Sequence, residues 1–375
     1  MGDASSTSLV AIMPGPTAPG DRGGDCELRE IPLPDLEPDS ALLRVEYSEV
    51  CGTDVHLRDG RLAGVPYPII PGHVSVGVLE KVRGRFLDVD GHPFAEGDRV
   101  TFLDVHKTCH ACWACLVAKA TTRCPARKVY GITYGLADGL TGGWSQYVYL
   151  KPGVRAIRMD HVESKTFIAG GCSMPTAMHA VELGEIALAD TVLVLGSGPV
   201  GLSAIAFSAL RGAARVFCIG APAERLETAR AMGANASFNF EGKSETERIN
   251  WVLQNTSGRG ADLTIECTGA PAAVIHAMRM TRDAGRVVVV GQYADHGEIA
   301  LNPHLDLNKK HLSVRGCWGS DYSHFHRTVA MLRNKRAAGF WSHVPVERFS
   351  LSGVNDALAA VEAGKVVKAI VVPWQ

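Results

Sequence analysis

The chain has 375 residues, enough for two domains at roughly 150 residues each. It is 46% hydrophobic and 21% charged, a globular balance that excludes a disordered or fibrous chain. With 38 Lys and Arg against 39 Asp and Glu, the net charge of −1 argues against a general nucleic-acid or anionic-membrane binder, because both need a basic excess.

The N-terminal 40 residues carry Pro14, Pro16, Pro19, Pro32, Pro34 and Pro38, and the first 25 or so read as loosely ordered. The first apolar stretch, Leu9 to Met13, is too short for a secretory core and stops at Pro14, so a cytoplasmic location is expected. Gly2 with Ser6 fits the loose myristoylation pattern, which chance supplies easily. From Ala41 to Arg99 short strands alternate with Gly and Pro turns. Leu42 to Tyr47 partly alternates, as a half-buried strand should, Val74 to Val82 is similar, and Glu96-Gly97-Asp98 turns into a further strand at Arg99. This part reads as mostly β.

Beyond about residue 160 the pattern changes. Val192 to Leu195 is a fully apolar strand, and Val200 to Leu210 a small-residue helix. Strands at Arg215–Ile219, Leu263–Cys267 and Arg286–Val290 alternate with helices at Ala223–Met232 and Ala272–Thr281. That alternation implies a parallel sheet covered on both faces. Val354 to Ala363 reads as a helix and Val366 to Val372 as a closing strand. Thr191 to Leu210 holds no charge, yet Gly196, Gly198, Pro199 and Gly201 interrupt it, which counts against a membrane span.

Gly196-Ser197-Gly198-Pro199-Val200-Gly201 fits G-x-G-x-x-G, entered by a strand and left by a helix. Gly196 can make the tight turn, Gly198 lets a pyrophosphate approach the backbone, and Gly201 lets the helix pack on the sheet. The helix N-terminus then offers free N–H groups to the phosphates. The acid that should end the next strand and hold the adenosine ribose is missing: Gly220 stands there. No carboxylate repels a 2′-phosphate, and Ala221-Pro222-Ala223 brings no base to attract one, although Arg225 is near. The cofactor is read as NAD or NADP, leaning to NAD.

Four of the ten cysteines, Cys109, Cys112, Cys115 and Cys124, lie in one short segment. Four thiolates suit a tetrahedral structural zinc with no open position for substrate. Such density in a reduced compartment favours metal ligation over disulfides. A second set is dispersed. Cys51-Gly52-Thr53-Asp54-Val55-His56 is followed by Pro71-Gly72-His73, and Cys172 lies just before the dinucleotide unit. Cys51, His73 and Cys172 would make a Cys2His zinc site whose fourth position is left for a substrate oxygen. Arg58 and Arg61 read as loop surface charges or, less simply, as partners for an anionic group. Trp113, Tyr134, Trp144 and Trp318 are possible pocket aromatics.

In the order and separation of these motifs, together with Gly142-Gly143, the sequence resembles the zinc-containing medium-chain dehydrogenases, the family of alcohol, polyol and threonine dehydrogenases. The match runs from about Ile31 to Val372. The resemblance implies an α/β chain: a mostly-β, GroES-like catalytic domain over residues 1–173 and 321–375, and a Rossmann domain with a doubly wound parallel sheet over 174–320. It implies catalytic zinc on Cys51, His73 and Cys172, and structural zinc on Cys109, Cys112, Cys115 and Cys124. Thr53 matches the hydroxyl that takes the substrate proton, His56 the imidazole that passes it to solvent, and Asp54 the carboxylate that orients the ligand histidine. Lys368 resembles a basic position facing the cofactor pyrophosphate. A homodimer or homotetramer is implied, paired through the dinucleotide-domain sheet.

Three departures stand out. The family's Glu after the ligand histidine is Val74 here. The acid of its Gly-Gly-x-x-Glu is Gln146. The last gap in the cysteine lobe is eight residues where seven is usual. The implied activity is hydride transfer between a small-molecule alcohol or carbonyl and NAD(P), with a zinc-bound alkoxide and a Thr53/His56 proton relay. Zinc can lower the pKa of bound water from about 16 to about 7. At about 1.4 kcal/mol per unit, that is on the order of 10 kcal/mol for a bound alcohol. The alternative, motivated by Val74, is an NAD(P)H-dependent reductase of activated C=C or iminium bonds in which this zinc is not essential.

Overall fold

Strand and helix segregate along the chain, and two units form accordingly in the computed structural model, which describes residues 6–18 and 21–375. Gly2 and Pro19 lie outside the described residues. One unit takes the chain up to Gly171 together with Asp321–Arg333 and Pro345–Gln375, and the other takes Cys172–Ser320 and Asn334–Val344.

The first unit is built on a seven-stranded sheet. In spatial order Val346–Phe349, Lys368–Val371, Ser40–Val50, Ser75–Arg83, Arg99–Phe102 and Ala156–Arg158 neighbour one another, and Tyr147–Leu150 also pairs with Ser40–Val50. Ser40–Val50 runs antiparallel to Ser75–Arg83, with Ser48 opposite Ser75. One apolar core gathers Leu43, Val45, Leu79, Val100, Phe102 and Val148; another gathers Val50, Trp144, Leu358, Ala369 and Val371. The two-stranded ladder of Val105–Lys107 with Lys128–Val129 closes the base of the cysteine lobe.

The N-terminal segment departs from the expected loose order. Thr7–Ile12 pairs antiparallel with Glu27–Pro32. Val10, Ala11 and Met13 are fully buried, and the Ala11 and Met13 amides donate to the Trp144 and Ile69 carbonyls at 2.8 and 2.9 Å. Prolines marked the turns but hid a strand whose apolar residues lie in the core.

The second unit holds a six-stranded sheet, parallel throughout, in the order Ala236–Asn239, Arg215–Gly220, Thr191–Leu195, Ala261–Glu266, Thr281–Val289, Ser313–Gly316. Numbered along the chain that is 3-2-1-4-5-6, the doubly wound dinucleotide-binding order. The uncharged run from Thr191 becomes a fully buried central strand and the Pro199–Leu210 helix. Among the described residues no helix is long and apolar enough to cross a membrane.

Unit boundaries differ from the expected ones in two places. The second unit begins at Cys172, and it reclaims residues 334–344 from the C-terminal part. The physical reason for the second is Trp341, 1% exposed, whose ring packs on Phe207 at 5.1 Å and whose Nε1 donates to Ser203 Oγ at 3.3 Å. The helices Ser173–Leu183, Glu245–Asn255 and Tyr322–Leu332 were not anticipated from the sequence.

Candidate active site

Cys51 ends the long Ser40–Val50 strand and caps the Gly52–Arg58 helix. Its amide donates to Asp54 Oδ2 at 2.8 Å, so Asp54 is turned back under the helix and fully buried. Thr53 and His56 are half-buried on the same helix, three residues apart and so on one face. His73 sits after Gly72, whose φ of +88° suits glycine and whose absent Cβ leaves room for Trp144 and Ser48. Cys172 follows Gly171 directly and caps the Ser173–Leu183 helix.

The donor atoms of Cys51, His73 and Cys172 lie within 4.8 Å of one another. Cys51 Sγ is 3.8 Å from His73 Nε2. Bond lengths of about 2.3 Å for sulfur and 2.0 Å for nitrogen about a tetrahedral zinc put such donors about 3.5–3.8 Å apart. The far side of the imidazole fits as well. His73 Nδ1 faces Asp54 Oδ1 at 3.9 Å, both atoms are buried, and neither has a hydrogen-bond partner. With Nε2 on a metal, Nδ1 carries the proton and the carboxylate orients the ring.

Electrostatics point the same way. Burial and then the charge of Cys51 push Asp54 well above the usual carboxylate range. Burial works most strongly on His73 and lowers it, but the charge and hydrogen bond of Cys51 together with the charges of Asp54 and Asp104 outweigh it and raise the imidazole to about 10. The charge of Cys51 raises both groups, so a cation held by these donors would act against both shifts.

The four lobe sulfurs also lie within 4.8 Å of one another. The Ala111 and Cys112 amides donate to Cys109 Sγ at 3.5 and 3.2 Å, and the Cys109 amide to Cys124 Sγ at 3.2 Å. The backbone bond from Ala111 leads in lowering Cys109 to about 6, while burial leads in raising Cys115 to about 12. Four sulfurs gathered in this way suit a soft tetrahedral cation. The gap between Cys115 and Cys124 contains the short Thr121–Arg123 turn.

In the glycine loop, Gly196 has φ +106°, and a Cβ on Gly201 would lie 2.0 Å from the Gly196 carbonyl oxygen. A Cβ on Gly198 would meet nothing within 4 Å, so the backbone there is open to a close-lying group. Gly198 caps the helix and Pro199 occupies its first turn, beside Ser197 and Val200. Gly220 has a packing reason: a Cβ there would fall 2.5 Å from Ser197 Oγ, which itself donates to the Ala221 carbonyl at 3.0 Å. Arg225 is half-buried on the Ala223–Ala231 helix, and burial lowers its pKa.

Several candidates land elsewhere. Lys368 is 2% exposed; its Nζ pairs with Glu49 Oε1 and donates to the Gly170 carbonyl at 3.2 Å. Arg58 is neither a surface charge nor open to an anion: it is 2% exposed and bonded to Asp59 and Glu362 at 2.7 and 2.8 Å, and Arg61 pairs with Asp59. Trp144 and Tyr134 are core residues, Trp113 is 71% exposed on the lobe, and Trp318 stacks on Tyr293 at 5.5 Å. Val74 is buried, and Gln146 Oε1 accepts from the Leu9 amide at 3.1 Å. Glu49, two residues before Cys51 at the end of the Ser40–Val50 strand, is a buried charge near the site that sequence reasoning passed over.

Comparison with known proteins gives the family. Residues 37–160 match the alcohol dehydrogenase GroES-like domain, and residues 199–334 match the zinc-binding dehydrogenase domain. The chain is 30% identical over 348 residues to 5-exo-hydroxycamphor dehydrogenase of Pseudomonas putida, covering 92% of this chain and 95% of that one. It superposes on an alcohol dehydrogenase of Thermotoga maritima with a TM-score of 0.90 at 29% identity, covering 98% and 100% of the two chains. A putative zinc-binding dehydrogenase of Sinorhizobium meliloti, solved with NADP, shares the fold at a TM-score of 0.81 and 23% identity over 98% and 100%. The chain belongs to the zinc-containing medium-chain dehydrogenase/reductase family. It is therefore an oxidoreductase of that family, and the relatives that match include alcohol dehydrogenases.

Proposed function

We propose that this protein is a zinc- and nicotinamide-dependent dehydrogenase that moves a hydride between NAD(P) and the carbon of a primary or secondary alcohol or its carbonyl. One observation carries the reading: Cys51, His73 and Cys172, distant in sequence, bring two sulfurs and a nitrogen to one point. Three protein donors leave a position for substrate. When bound, zinc supplies Lewis acidity to the substrate oxygen. Cys51 and Cys172 balance the charge of the ion, and His73 adds none while Asp54 holds its ring. Thr53 Oγ1 takes the proton of the substrate hydroxyl, and His56, one turn along the helix, passes it outward. The cofactor carries the hydride.

For the cofactor the reading is NAD, since residues 221–223 bring no base beside Gly220 to hold a 2′-phosphate. For assembly it is a homodimer or homotetramer. Ser313–Gly316 ends the parallel sheet, and Val314, Leu301 and Leu305 nearby are 37%, 40% and 54% exposed, an edge that a second copy could extend. The convergence of the three donors speaks against the reductase alternative, which has no use for them. The test is purified, zinc-loaded protein screened against aliphatic, cyclic and polyhydric alcohols and their carbonyls with both cofactors, followed by nicotinamide absorbance. Turnover that needs zinc supports the reading. Full turnover after selective removal of the metal from the Cys51 site sinks it.

A further inference from the structure

Glu49 and Lys368 form an ion pair in which each side chain is 1% exposed. Burying two charges costs more than an apolar pair of similar volume would, so stability is a weak reason for such a pair. Its contacts suggest another. Two residues after Glu49 comes Cys51. The Glu49 amide donates to the Val74 carbonyl at 3.0 Å, the residue after His73. Lys368 Nζ bonds the Gly170 carbonyl at 3.2 Å, and a Cβ on Gly171 would fall 2.1 Å from Glu49 Oε2, so the carboxylate lies against the residue bonded to Cys172. Trp144 Nε1 fixes the Glu49 carbonyl at 2.9 Å. One residue and its counter-ion therefore touch all three chain segments that bear the donors.

We propose that Glu49, held by Lys368, is a positioning residue for the three-donor metal site, set one strand over from Val74, where the acid usual in the family is absent. Lys368 serves here as the clamp of Glu49 rather than as a ligand of the cofactor pyrophosphate. Because Lys368 neutralises it, the carboxylate steadies the Cys172 limb against the Cys51 limb without adding net negative charge to the donor set. Gly171 is the residue that admits it, with a φ of +52° and no Cβ to collide.

This inference rests on zinc at that site, and the test separates the two. Wild type, E49Q and E49Q/K368M are loaded with zinc, and metal per chain and its loss to a chelator are measured. The four-cysteine lobe serves as internal control. E49Q is expected to weaken the three-donor site about 10- to 100-fold, with the lobe zinc unchanged. The double variant removes the stranded ammonium; it should recover thermal stability but not zinc affinity, and it decides the matter if E49Q does not fold. Variants that hold the second zinc as tightly as wild type overturn the proposal while leaving the proposed function intact. A wild-type chain that takes up only the lobe zinc overturns both.

Discussion

The two donor sets of this chain are built in opposite ways. The lobe draws its four sulfurs from residues 109–124, on short turns above a two-stranded ladder. The other set draws from positions 51, 73 and 172, at the end of a strand, after a tight glycine turn and at the cap of a helix. Cys109 is exposed, whereas His73 is buried at 5% exposure. A contiguous set fills the coordination of an ion and holds one loop, because a short segment cannot bury a core of its own. A dispersed set needs the whole sheet to be in place first. Three donors then leave one position open, and burial keeps the ring and its carboxylate in a fixed relation.

The contrast can be broken by deleting one donor from each set. Cys51→Ala is expected to lower turnover more than about 1000-fold, since the metal supplies several kcal/mol of charge stabilisation. Its melting temperature and lobe zinc should stay close to wild type, read by calorimetry and metal analysis; a variant with full rate would end the assignment. Cys112→Ala should do the reverse. Loss of a structural ligand is expected to cost on the order of 3 kcal/mol and open residues 110–120 to proteases. Turnover below the melting range should fall less than about 10-fold, as that set touches no reacting atom.

Smaller effects sharpen the comparison. His56→Ala should slow turnover about 100-fold with both zinc ions retained, and added imidazole should restore part of the rate. The least effect is expected away from both sets, at Asp321. It caps the Tyr322–Leu332 helix, accepting from the Ser323 amide at 2.9 Å, and pairs with His324 at 2.8 Å. The His324 hydrogen bond leads in holding this carboxyl below its usual range. A depressed folded-state pKa means the ionised group stabilises above about pH 4, and that the contribution fades as pH falls toward the lower folded value. Asp321→Asn should therefore lower the melting temperature slightly at pH 7, and the gap should close in acid. Equal gaps at both pH values would rule this out.

Period and spacing decided much in advance. The apolar strand at Val192–Leu195, the glycines at 196, 198 and 201, and four cysteines at short intervals are local patterns, and each imposes its structure on its own neighbourhood. Burial of distant residues is not local, so the first strand escaped notice among prolines, and the helix ending in Trp341 was given to the wrong unit. Arg58 read as a surface charge and Lys368 as a contact of the cofactor pyrophosphate, because a sequence does not show that Glu362 and Glu49 lie beside them.

By itself the sequence determined the class of chain, the two kinds of domain, the parallel sheet and the chemistry each donor could offer, because hydrophobic period, glycine placement and thiol spacing act over a few residues. Only the tertiary structure decided that Cys51, His73 and Cys172 meet, that Asp54 backs the imidazole, and that a buried carboxylate sits at 49 where 74 has none. Those facts depend on which strands become neighbours, and strand pairing is settled by burial across the whole sheet.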